Sequence, residues 1–215
     1  MRKKISVYFL VIFFFLVQNK NSIAQIDNAI IISVGDQAIT RLDLLNEIKL
    51  IAILSNTDIN NENREQIKGL AVKSLIKRNI KKNEIEKRNV NKYNATQLNA
   101  MIDNTSNKLG INRSGLKQIL KNHNLSFEKL VKRFEVDLKW NYMIFQMYKN
   151  KISLNAAEIE DKLKLELEKI EGSDGNKNLE NIKEKIITIE KEKKLKMFSN
   201  MHYSNIERSV QIKFL

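Results

Sequence analysis

Apolar positions change period several times along the chain. Residues 5–17 are apolar almost without a break, with Ser6 the one small polar interruption. Residues 29–34 (Ala-Ile-Ile-Ile-Ser-Val) are short and β-branched, Gly35-Asp36 makes a turn, and Gln37-Ala38-Ile39 returns, the pattern of a small hairpin. From Thr40 the period becomes helical. Thr40 caps a helix with Asp43 at its third position, a capping-box arrangement, and Leu42, Leu44, Leu45, Ile48, Ile51 and Ile53 give a broad apolar face to about residue 55. After a polar loop at 56–61, a helix over 62–89 has Ile67, Leu70, Ala71, Leu75, Ile76 and Ile80 as its core stripe. The spacing of Leu98, Met101, Ile102 and Leu109 predicts a helix over 95–109, ended by Gly110.

A short helix over 114–122 follows, using Leu116, Ile119 and Leu120, and Ser126 caps a longer one over 127–149. Asn155 caps a helix over 156–170, with Glu158 at its third position. Gly172-Ser173-Asp174-Gly175 is the clearest break, and a final amphipathic helix over 179–199 uses Ile182, Ile186, Ile189 and Leu195. Residues 209–214 alternate like a paired or edge strand.

Composition agrees with helices. The 215 residues include no Pro, no Cys and six Gly, whereas all-β folds use Gly and Pro freely in their turns. Without Cys there is neither a disulfide nor thiol chemistry. The formal charge of +13 would suggest nucleic acid in a cytosolic protein, but the cations are spread along helices and form no single block. On the 62–89 helix, Lys77, Arg78, Lys81, Lys82, Lys87 and Arg88 gather toward the C-terminal end, where cations complement the helix dipole.

The first 24 residues change the picture. Arg2, Lys3 and Lys4 precede the apolar run, and Ser22-Ile23-Ala24 places small residues where a signal peptidase reads. A signal peptide over 1–24, cut between Ala24 and Gln25, is expected, because the run falls short of the roughly 20 residues that span a bilayer. The mature chain is then expected in the periplasm. The anionic partners to expect there are acidic polypeptides or a membrane surface, not nucleic acid.

The order of these elements carries a resemblance. A hairpin runs directly into a capped helix over residues 32–43. It is followed by Leu75-Ile76-Lys77, by Leu109-Gly-Ile-Asn-Arg-Ser-Gly-Leu116, by Asn124-Leu-Ser-Phe-Glu-Lys-Leu-Val-Lys-Arg-Phe134 and by Lys151-Ile-Ser-Leu-Asn-Ala-Ala-Glu-Ile159. This resembles the chaperone domain of the SurA family, periplasmic escorts of unfolded outer-membrane proteins, over most of 29–163 and again over 182–214. The resemblance implies a mainly α chaperone core, formed by residues 25–170 and completed by a helix and strand at 179–215. Family members carry parvulin prolyl isomerase domains where this chain has only 171–178. A parvulin site also needs paired histidines beside an acid or thiol, and the only histidines here are His123 and His202, both read as solvent-facing. The chain therefore resembles a reduced SurA without its enzyme.

No zinc-protease spacing, phosphate-cradling glycine loop or serine elbow is present, so no catalytic residue, metal ligand or cofactor is expected. The expected client-binding residues are Trp140, Met143, Phe145, Met147, Tyr148, Met197 and Met201, with Tyr142 and Phe198 beside them. Met and aromatic side chains repack against differing shapes, which suits weak binding of many unfolded segments. The competing expectation is that the C-terminal helix covers them as core. Two other functions stay open: an envelope adaptor for one defined partner, and an exported isomerase with an unrecognised site.

Overall fold

A computed structural model describes residues 28–169 and 179–215; the expected signal peptide and the 171–178 break lie outside them. Strands β1 (Ile30–Val34) and β2 (Gln37–Thr40) form the hairpin, turning at Gly35, whose φ of 57° is left-handed. The strand β3 (Ile212–Phe214) pairs antiparallel with the other side of β1, giving the order β2-β1-β3. Ile32 faces both Ile39 and Phe214, and Val34 faces Gln37 and Ile212. Ile32, Val34 and Ile39 are buried, so one face of the sheet is core.

Seven helices follow in chain order among the described residues: α1 (Arg41–Leu54), α2 (Arg64–Lys87), α3 (Ala95–Lys108), α4 (Arg113–Asn122), α5 (Phe127–Tyr148), α6 (Ala156–Glu168) and α7 (Leu179–Ser209). The fold is mainly α with a small antiparallel sheet, as the patterning indicates. Thr40 caps α1 through a full capping box: its Oγ1 accepts from the Asp43 amide at 3.1 Å, while its own amide donates to the Asp43 carboxylate at 3.0 Å. Asn112 and Asn155 cap α4 and α6 through their side-chain oxygens.

Three helices stop on asparagine. Asn56, Asn89 and Asn124 follow α1, α2 and α4 with φ of 49°, 53° and 58°. In each case the next residue donates back across the turn: Thr57 to the Ala52 carbonyl, Val90 to Ile85 and Leu125 to Leu120. These are Schellman endings, in which a left-handed residue satisfies the last carbonyls of the helix.

The described residues fall into two compact units. One contains residues 28–79, 108–126 and 211–215: the sheet, α1, the first part of α2, and α4. The other contains 80–107 and the described residues of 127–210: the end of α2, nearly all of α3, and α5, α6 and α7.

Three expectations need correction. The α1 face read as core is not buried: Leu42 and Leu45 are exposed, and Leu44, Ile48, Ile51 and Ile53 are only half-buried. Leu70 of the α2 stripe is 50% exposed. Helix α7 runs to Ser209, ten residues beyond the expected end, because Tyr203 and Ile206 also pack on the core. Among the described residues, no helix is long and apolar enough to cross a membrane.

Candidate functional site

The aromatic and methionine residues of α5 divide between core and surface. On a helix, positions three and four apart share a face. Trp140, Met143, Ile144 and Tyr148 share one, and it is buried together with Ile85 of α2. Leu195, Phe198, Tyr203 and Ile206 of α7 pack against this cluster, as does the half-buried Met147. Trp140 is 1% exposed, and its indole N–H donates to Ser199 Oγ at 2.8 Å. Tyr148 stacks on Phe198 with ring centroids 4.7 Å apart and planes within 10°. Trp140, Met143 and Tyr148, expected at a client surface, are therefore core positions covered by α7. Their size and polarizability serve packing, and a client cannot reach them without moving α7.

Of the other expected residues, Met147 packs half-buried on this core, and three lie on the surface. Phe145 is exposed on α5, one turn from exposed Asn141 and Lys149. Met197 and Met201 are exposed one turn apart on α7, so they share a stripe.

His202 is not the solvent-facing residue expected. It is buried, with Nδ1 3.2 Å from Tyr148 Oη and Nε2 3.3 Å from Glu84 Oε1. Arg88 pairs with the same Glu84 carboxylate, and the Trp140 ring lies 5.6 Å from the imidazole. Burial pushes the Glu84 carboxyl up, but the hydrogen bond and charge of Arg88, joined by His202, outweigh it and hold the carboxyl below its ordinary range. Burial and a 2.8 Å bond to Glu207 push the Tyr203 phenol well above its ordinary value. Lys81 pairs with Asp137 and sits 5.7 Å over the Trp140 ring. In the sequence, the spacing of His202 from Ser199, Phe198 and Leu195 on one helical face was the available signal, hidden by ending the helix too early.

A second apolar surface, not singled out in the sequence, belongs to the unit that holds the sheet. The C-terminal half of α1 and the loop after it line a groove of about 510 Å³ with Ala52, Ile53, Ile59, Leu109 and Ile119. Lys49 reaches the His123 carbonyl at 3.5 Å beside it, and His123 is exposed, as expected. Ile59 is 44% exposed, and Leu42 and Leu45 remain open on α1 itself. The sequence did carry a signal: the apolar positions of α1 spread wider than one narrow stripe, so a single core need not cover them all. The one long side chain that α1 buries is Glu47, tied to Arg78 at 2.7 Å.

The arrangement offers apolar contact. Among the described residues, no group of three or more His, Asp or Glu side chains is placed to hold a metal ion. No family model matches the chain, and no curated protein matches it in sequence.

Proposed function

We propose that this protein is an exported, periplasmic holdase that binds unfolded outer-membrane polypeptides and has no prolyl isomerase activity. The observation that carries the reading is α1, whose leucines and isoleucines stay open or half-open beside an apolar groove while its glutamate is buried. Met197 and Met201 on α7 and Phe145 on α5 add adaptable apolar surface. Such surfaces on monomers mark sites of interaction. The signal-like residues 1–24 support the address, and the resemblance to the SurA chaperone domain supports the client class. Binding is passive: the unfolded chain is held, its free concentration falls, and it leaves by folding or transfer, with no nucleotide or metal required.

The test is light scattering of an unfolded outer-membrane barrel protein diluted from denaturant into the purified chain. Suppressed aggregation is expected, and Leu42→Glu with Leu45→Glu is expected to weaken it without changing the far-UV circular dichroism. Unchanged aggregation, with saturable binding to a single envelope protein, would establish the adaptor function instead. Turnover in a prolyl-isomer exchange assay would establish the isomerase.

A further inference from the structure

The small sheet has an open side. Among the described residues, β1 is paired on both edges, while β2 and β3 are each paired only with β1. The Leu215 amide donates to the Ile31 carbonyl at 3.0 Å, and the Gly35 amide donates to the Gln211 carbonyl at 2.9 Å. Backbone groups alternate sides along a strand, so Gln211, Lys213 and Leu215 turn theirs toward β1. Ile212 and Phe214 then turn their N–H and C=O groups outward, along a free edge.

Side chains alternate too, between the two faces. Phe214 faces Ile32 in the ladder and so lies on the core side, yet it is 70% exposed, because among the described residues no strand pairs beyond it. Lys213 and Leu215 lie on the opposite face, both exposed. Folded proteins usually cover such an edge, bulge it or charge it. Among the described residues, β3 is guarded by its three-residue length and by Lys213. Were two copies of β3 to pair antiparallel about their centres, Lys213 would oppose Lys213, and like charges directly across a ladder repel. The same lysine attracts a strand that brings a carboxylate opposite it.

We propose that the outer edge of β3 is a strand-addition site for extended polypeptide segments that alternate apolar and acidic residues. The apolar side chains pack beside Phe214, the acidic one sits across from Lys213, and the outward groups of Ile212 and Phe214 supply the ladder. Strand addition draws affinity from the main chain and selectivity from alternate side chains. The proposal rests on the holdase reading and names its clients: chains rich in alternating segments, as membrane β-strands are.

The test uses the full chain and a labelled short peptide alternating valine and glutamate, followed by fluorescence anisotropy. Two controls are an alternating valine–lysine peptide and a peptide of the first composition arranged in blocks. The alternating glutamate peptide is expected to bind roughly fivefold tighter than the lysine peptide. Lys213→Glu should invert that order, and Phe214→Pro, which removes an outward N–H, should weaken the preferred peptide. Because Phe214→Pro can disturb the sheet itself, the same loss is sought on the native chain with a peptide methylated at alternate amides. Equal binding of all three peptides, or a ranking untouched by Lys213→Glu and by amide methylation, overturns the proposal. If aggregation is suppressed but the alternating peptide does not bind, the edge site falls and the holdase stands. If the peptide binds but aggregation is not suppressed, the holdase falls and the edge site stands.

Discussion

At the scale of single residues, the buried polar groups of the second unit decide more than their number suggests. Among hydrogen-bonding roles, only one tautomer of neutral His202 serves both of its contacts: Nε2–H donates to Glu84, and Nδ1 accepts from the Tyr148 hydroxyl. Glu84, with its carboxyl held low, is stabilising above the pKa it has in the unfolded chain, and that contribution disappears as pH falls through the lower folded value. The urea midpoint is therefore expected to drop on acidification through the carboxylate range, and Glu84→Gln should flatten that part of the profile. A parallel profile for the variant would show that the Arg88–Glu84–His202 contacts contribute nothing to stability. Ser199 offers a sharper probe. Ser199→Ala leaves the Trp140 indole N–H without its partner in a dry site, at a cost of about 1–3 kcal/mol in equilibrium unfolding. The sequence showed only that Ser199 and His202 could share a helical face, not what they would meet there. Ser199 and His202, one turn apart on α7, acquire their roles only once α2 and α5 bring Glu84, Trp140 and Tyr148 against them.

At the scale of elements, legibility followed local chemistry. The α1 start was readable because Thr40 and Asp43 complete their capping box within four residues, and the α6 start because Asn155 alone suffices; the Asn112 cap of α4 was not singled out. Helix ends were harder. Gly110, at φ 69°, was a readable stop, but the other left-handed stops use asparagine, which a sequence this rich in asparagine does not single out. Asn124→Ala is expected to lower stability by about 1 kcal/mol, since alanine carries the left-handed penalty, whereas Asn124→Gly should be neutral or slightly stabilising. Equal thermal midpoints for the two variants would show that this ending is not held in the left-handed form. The reach of α7 was missed for another reason. Residues 200–209 have a weak local pattern, and they stay helical because Tyr203 and Ile206 gain a core to pack on. The Met and aromatic side chains of α5 were legible, but which of them α7 covers depends on tertiary packing: it buries Trp140 and leaves Phe145 out.

At the scale of the whole molecule, neither compact unit is a continuous piece of chain. The sheet unit takes its third strand from residues 211–215, after the chain has contributed α5, α6 and α7 to the other unit. Deleting 211–215 is expected to speed hydrogen exchange at the β1 amides, Ser33 above all, while leaving Trp140 fluorescence unchanged, because that tryptophan belongs to the other unit. Unchanged exchange at β1 would mean that the hairpin holds without its third strand. The pairing of Ser33 with Lys213 joins positions 33 and 213. Contacts this distant in sequence close late, because the intervening chain must first surrender its freedom. A ribosome releases Lys213 only after all seven described helices have been made, so β1 must wait through their synthesis for its second neighbour. Until then the hairpin carries a bare edge where β3 will lie, and the nascent sheet stays open to a substitute strand.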